Sequence, residues 1–200
     1  MESGDEMKLR PIDISIAGLF VALMAIGANV APYLTIGGVP ITLQLLFAIF
    51  AGVLLGSRLG AISMTAYMVV GLIGVPVFAQ FKGGLATLLG PTFGFVVSFI
   101  LVAYVAGKLV EAKVPPNLPT FFMASFIGVV LNYVIGTHWM YVAFIFWLDT
   151  PEGFSYLVAW SWMLLYLPLD IAVAVFSAVI SPRMYKAIKR TRLTQKQRAA

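Results

Sequence analysis

The chain reads as an all-α integral membrane protein with six transmembrane helices and both termini in the cytoplasm. Three observations predict that class. Hydrophobic residues make up 61% of the 200 residues, against roughly 45–50% in an ordinary soluble domain. Charged residues fall to 10% and mean hydropathy reaches +0.98. A soluble fold of this size has no means of hiding so much apolar surface, because its outside must still be wetted by polar groups. Finally, apolar runs able to cross a ~30 Å hydrocarbon layer recur along the chain, and six of them can be placed.

In order, these runs fall near residues 12–31, 40–56, 59–78, 91–110, 120–147 and 155–181. The first is too long for a signal-peptide core. Its flank opens acidic with Glu2, Asp5 and Glu6 and no small-residue cleavage site follows, so it is read as a retained helix. The second is short, and the last two are long enough to tilt or to emerge from the bilayer. An even number of crossings puts both termini on one side, and loop charges choose which. Of the 13 lysines and arginines, only Lys82 falls on the far side; Lys8, Arg10, Arg58, Lys108, Lys113, Arg183 and the tail cations share the side of the termini. That side is therefore cytoplasmic. Residues 1–200 form a single membrane domain, with residues 1–11 as a cytoplasmic N-terminal segment and 183–200 as a basic cytoplasmic tail. This places the protein as multi-pass in a bacterial-type cytoplasmic membrane.

What is missing narrows the function. There is no cysteine and one histidine, which excludes disulfides, thiolate sites and His-rich metal clusters, so no metal site is expected. Gly107-Lys108 is followed by Leu109 and lacks the upstream glycine of a phosphate-binding loop. Neither a nucleophile with its base nor a His-Glu-x-x-His helix is present, so the chain is read as no enzyme and as carrying no ATPase of its own. The net charge of +5 is concentrated in the basic tail. That tail is read as a stop signal touching anionic lipid rather than as a nucleic-acid site. Transport or ligand capture remains.

An ionised side chain near mid-bilayer costs at least ~2.5–3.5 kcal/mol on insertion scales, which makes each one a candidate site. Asp170 is the clear case. It follows Pro168, whose missing N–H leaves the Leu164 carbonyl without a helical partner and predicts a kink beside the carboxylate. Trp162, Tyr166 and Asp170 recur every four residues, which places an acid and two rings on one helical face. Asn132 lies 12 residues past Thr120 and Asp170 lies 12 before Pro182. Both thus rise ~18 Å from the cytoplasmic face and share a depth. Asn132 is open to two readings, interhelical glue or ligand contact. Gln44, one turn into the second helix, belongs to a shallower layer as a ligand group or a helix-end cap. Lys82, in the loop Phe78-Ala79-Gln80-Phe81-Lys82-Gly83-Gly84, is either the partner of an arriving anion or a solvated lysine.

Gly90-Pro91-Thr92 is expected to open the fourth helix, with proline in its first turn and free N–H groups for an anion. The apolar, glycine-bearing loop 31–40 suits a lid, and His138 suits a bundle or interface position. Gly18, Ala22 and Ala25 form a thin stripe on the first helix, and Ala48, Gly52, Gly56 and Gly60 repeat every four residues. Such stripes serve internal packing or the docking of another membrane subunit.

Val39-Pro40-Ile41-Thr42-Leu43-Gln44, the run Gly71-Leu72-Ile73-Gly74-Val75-Pro76-Val77-Phe78-Ala79, Gly83-Gly84 and Gly90-Pro91-Thr92-Phe93-Gly94-Phe95 together resemble the BioY family. Those proteins are the biotin-specific S-components of energy-coupling-factor (ECF) transporters. The resemblance spans nearly the whole chain and is most specific over residues 39–95. It implies high-affinity capture of biotin from outside, as a transported ligand and not a cofactor. Uptake would then require a transmembrane coupling protein and two cytoplasmic ATPase subunits, with release by toppling in the bilayer. It also implies that small residues of the first helix, here Gly18, Ala22 and Ala25, contact the coupling protein. The family's sixth helix carries an Asp followed three residues later by a Lys, both used on the ligand; Asp170 matches, but Val173 stands at the second position. Biotin presents ureido donors, an apolar ring and a carboxylate tail. On this reading Asp170 accepts from the ureido group, Tyr166 packs the ring, Gln80 adds an amide and Lys82 replaces the missing cation. Two alternatives stay open: an S-component for another vitamin or biotin-like compound, and a structural or regulatory membrane subunit without a ligand.

Overall fold

A computed structural model describes residues 11–30, 35–36 and 39–198. The charged N-terminal segment with Glu2, Asp5, Glu6, Lys8 and Arg10 lies outside the described residues, as do 31–34 and 37–38 of the expected lid loop. Among the described residues there are seven α-helices: α1 (Pro11–Ala28), α2 (Gln44–Leu55), α3 (Ser57–Leu72), α4 (Phe93–Glu111), α5 (Leu118–Phe146), α6 (Tyr156–Leu164) and α7 (Leu167–Arg198). Two-residue strands β1 (Thr35–Ile36) and β2 (Val39–Pro40) pair antiparallel ahead of α2. Short 3-10 turns at Ala79–Phe81 and Leu85–Leu89 fill the α3–α4 connection.

Among the described residues four helices are long and apolar enough to cross a membrane: α1, α4, α5 and the part of α7 from Leu167 to Lys189. The expected second span is shortened to the 12 residues of α2, because residues 39–40 are spent on β2. The third stops at Leu72 rather than 78, since Gly74 (φ 110) and Pro76 turn the chain away. The sixth is corrected most. A kinked continuous helix was expected; instead the chain breaks into α6 and α7. Leu165 and Tyr166 donate their N–H groups to Trp162 and Met163 at i−3, which closes α6 tightly, and α7 restarts with Pro168 in its first turn, where no N–H is needed.

Helix starts are set by side chains where the sequence supplies them. Asn117 caps α5, accepting from the Thr120 amide at 3.1 Å and from its hydroxyl at 2.6 Å, and Ser155 caps α6 by accepting from the Val158 amide. Glu111 does the same across the bundle: its carboxylate accepts from the Ser57 amide at 2.7 Å and the Ser57 hydroxyl at 2.8 Å, at the positive end of α3. This joins the α2–α3 turn to the end of α4.

α4 is the central element, packed against α2, α3 and α5, while α7 packs on α5 and α2. Backbones approach closely wherever glycine allows. A Cβ on Gly52 would sit 2.2 Å from the Ala103 carbonyl oxygen, and one on Gly60 would sit 2.8 Å from that of Ala51. The Ala48, Gly52, Gly56, Gly60 series therefore serves internal packing, with Gly56 (φ 91) forming the turn between α2 and α3. Gly18 faces open space, and Gly18 and Ala22 are exposed with Ala25 half-buried beside them.

A Cβ at Gly107 would lie 2.3 Å from the Ser57 nitrogen. Gly107→Ala is therefore expected to cost about 1–3 kcal/mol by overpacking, read as a fall of several degrees in the thermal midpoint of the purified protein. An unchanged midpoint would show that α3 and α4 separate freely there.

Candidate functional site

The end of the bundle where α3 finishes and α2 and α4 begin holds an open-mouthed cavity, with an empty volume of about 1070 Å³ including its mouth. Its walls are largely apolar, from Val39 of β2, Leu45 of α2, Phe78 of the loop, Phe93 and Phe99 of α4 and Met163 of α6. Asp170, Gln80, Lys82, Asn132, Tyr166 and Gln44 all line it. Residues up to 126 positions apart in sequence are thus brought to one cavity.

Asp170 lies half-buried in the first turn of α7. The Tyr133 hydroxyl of α5 donates to its Oδ2 at 2.7 Å, a charge-assisted bond across the α5–α7 seam when the carboxylate is ionised. A carboxylate accepts several hydrogen bonds, so capacity for a ligand donor remains. Tyr166 sits in the break itself and its hydroxyl donates to the Val39 carbonyl, which ties the α6–α7 turn to β2. The break overturns the expected shared face: Trp162 is outside the cavity and packs on Phe154 and Phe144, with ring centroids 5.2 and 6.0 Å away.

Asn132 is 6% exposed, and its Oδ1 accepts from the Ser98 hydroxyl of α4 at 2.8 Å. It is thus both a link between helices and part of the cavity wall. The occupied carbonyl leaves its amide group as the donor. Gln44 is the first residue of α2, not one turn inside it, and does not cap that helix. Its amide donates to the Tyr67 hydroxyl at 2.9 Å, and Tyr67 in turn donates to the Val77 carbonyl at 2.9 Å. This chain fixes the Gln44 side chain and leaves its oxygen as an acceptor.

Gln80 and Lys82 ride on a tight loop closed by Phe78, whose N–H donates to the Lys82 carbonyl at 3.0 Å. Gln80 (φ 62) and Phe81 (φ 55) are both left-handed, a conformation costing roughly 1–2 kcal/mol per non-glycine residue. Asn29, just past α1, holds it in place. Its oxygen accepts from the Phe81 amide at 2.8 Å, and its amide donates to the Phe78 carbonyl at 3.2 Å. Lys82 itself is exposed at the mouth.

Gly90, Pro91, Thr92 and Phe93 also line the cavity, but α4 begins at Phe93 with Thr92 as its cap. Pro91 thus precedes the helix rather than occupying its first turn. Gly90 is anchored by the Trp139 indole, which donates to its carbonyl at 3.0 Å. His138 is exposed, with Tyr156 and Trp160 rings against it and the Tyr156 hydroxyl 2.9 Å from its Nε2. Among the described residues no group of three His, Asp or Glu is placed to hold a metal.

Sequence reasoning missed Tyr133, Ser98, Tyr67 and Asn29, the four residues that hold the polar wall in position. Tyr133 carried one signal, its place next to Asn132 in a membrane span. Tyr67 and Asn29 carried none, because their partners lie in other elements.

These features define a multi-pass membrane protein with a ligand-sized cavity whose greasy wall carries a few fixed polar groups. Residues 4–190 match the BioY family, and the chain belongs to that family. BioYB of Bacillus subtilis is 43% identical over 186 residues, covering 92% of each chain. A protein of Lysinibacillus sphaericus named "Probable biotin transporter BioY" is 34% identical, covering 90% of each. "Biotin transporter BioY" of Rhizobium etli is 33% identical over 84% of this chain and 90% of its own length. In three dimensions the fold matches the crystal structure of the S-component for biotin from an ECF-type ABC transporter, with a TM-score of 0.74 over 93% of this chain and 95% of that one, at 24% identity.

Removing the Asn29 amide should release the left-handed loop. Asn29→Ala is expected to speed hydrogen exchange at the Phe81 amide about 5- to 30-fold, the equivalent of one or two hydrogen bonds. Unchanged exchange would mean that the loop holds itself.

Proposed function

We propose that the protein is a biotin-capture S-component of an ECF transporter, taking biotin from outside into this cavity. Membership of the BioY family, likeness to the biotin transporter of Rhizobium etli and the fold shared with a biotin S-component support the reading. The observation that carries it is the cavity itself, in which a carboxylate, three amides, a tyrosine and one lysine line a largely apolar wall. Asp170, held by Tyr133, accepts from a ureido N–H. Phe78, Phe93 and Tyr166 wall the ring system. The Asn132 amide donates to the ureido carbonyl and Lys82 at the mouth pairs with the carboxylate tail. Val173 is 8% exposed inside the bundle, so the position of the family lysine supplies no cation here.

In this reading α2, α3 and the α6–α7 pair complete six crossings, and the single-domain chain keeps its basic tail and both termini in the cytoplasm. The energy comes from two cytoplasmic ATPases through a transmembrane coupling protein. Gly18, Ala22 and Ala25 form the face of α1 that meets that protein, a role that suits their exposure and the open space over Gly18. A second vitamin as cargo is favoured by one observation, the valine at 173. Displacement of bound biotin by that vitamin would establish it.

Radiolabelled biotin should bind the purified protein saturably, and its absence at micromolar ligand would overturn the proposal. Asp170→Ala should weaken binding by about 1–3 kcal/mol, the penalty for a buried donor left unpaired; wild-type affinity would make Asp170 purely structural. Lys82→Ala should weaken binding of biotin more than that of its uncharged amide analogue, and equal losses would remove the lysine from carboxylate recognition.

A further inference from the structure

At the opposite end of the bundle, the α4–α5 connection and the last apolar turns of α7 enclose a second hollow. It is lined by Pro115, Pro116, Phe121, Pro182 and Tyr185, with Lys186 and Lys189 at its edge. Its empty volume is about 650 Å³, including the open side. The uncharged run of α7 ends at Pro182, and Arg183, Lys186 and Lys189 follow within two turns, so the hollow sits where hydrocarbon gives way to water.

Its chemistry is two-sided. Proline has no N–H, so three of the lining residues present apolar rings without a backbone donor. Phe121 and Tyr185 close the floor with ring centroids 5.9 Å apart. Lys186 and Lys189 stand three residues apart on one helical face, and the Lys189 ammonium lies 6.0 Å from the Tyr185 ring centre, which holds it near the hollow. Among the described residues no acidic side chain lines the site. Glu111, at the same end of the bundle, is committed to Ser57 by two hydrogen bonds. The two ammonium groups offer an anion a pair of positive charges, and the walls beneath them offer an apolar contact.

We propose that this hollow seats one anionic phospholipid, with its phosphate between Lys186 and Lys189 and its glycerol and upper acyl chain against the prolines and Phe121. A basic, apolar recess at the membrane boundary matches an anionic lipid in both charge and polarity. The site is separate from the ligand cavity and independent of what that cavity binds.

The test is native mass spectrometry of the full chain in detergent, titrated with phosphatidylglycerol and, separately, with phosphatidylcholine. Phosphatidylglycerol should bind saturably and at least about tenfold more tightly, and Lys186→Gln with Lys189→Gln should abolish that preference, given a contribution of roughly fivefold per lysine. Pro116→Glu, which adds a carboxylate to the wall, should weaken phosphatidylglycerol in the same direction. Lys108→Gln, a cation on the outer face of α4, should leave it within about twofold. Equal binding of the two lipids would overturn the proposal. So would an equal loss in the Lys108 variant, which would indicate diffuse charge attraction, or full displacement by millimolar inorganic phosphate, which would indicate a free-anion site. A loss of the preference on adding a partner subunit's peptide, without any effect of the lysine substitutions, would assign the surface to protein contact instead.

Discussion

A carboxylate within a membrane span persists only where it is hydrogen-bonded or reaches water, and the structure gives Asp170 both through one local event. Pro168 cannot supply the N–H that would continue α6, so the chain closes α6 with i−3 bonds, turns at Leu165 and Tyr166, and begins α7 afresh. The restart puts Asp170 in a first turn that opens onto the cavity, while Tyr133 reaches it from α5. The same turn delivers the Tyr166 hydroxyl to the Val39 carbonyl and so binds the last helices to the segment leading into α2.

The opposite side of the cavity rests on a different device. Two successive left-handed residues, Gln80 and Phe81, place the loop over the cavity, and the Asn29 side chain replaces the hydrogen bonds that a regular element would provide. Asn29 follows directly on α1, whose Gly18 and Ala22 lie exposed on an apolar helix. One element thus carries an uncovered membrane-facing surface and, at its end, the support of the ligand-side loop. Tyr67 and Gln44 do similar work below it, linking α2, α3 and the loop at Val77 through two bonds of 2.9 Å.

How far the sequence could be read follows from the range of the forces involved. Asp170 stood out because ionised groups are costly in hydrocarbon, and that cost depends only on the residue and its apolar neighbours in sequence. The resemblance over 39–95 was legible for a similar reason: turn glycines and prolines mark backbone geometry locally. The positions of helix ends were less accessible. Whether residues 40–43 extend α2 or lead out of a β hairpin depends on what Val39 and Pro40 meet, and whether Pro168 bends or severs a helix depends on a partner for the freed groups. Pro91 falls two residues ahead of the helix it was expected to open, for the same reason. Tyr133, Ser98 and Asn29 escaped because a hydroxyl or amide acquires its role only from what lies opposite.

The amino-acid sequence by itself determined that this chain lives in lipid, that its cations gather at one end and that its one deep acid demands a purpose, since transfer energies are properties of single side chains and short runs. Only the tertiary structure decided that Gln44, Asn132 and Asp170 share a wall with a loop pinned by Asn29, and that Trp162 does not. Hydrogen bonds act over about 3 Å, and which groups come that close is fixed by helix packing rather than by composition.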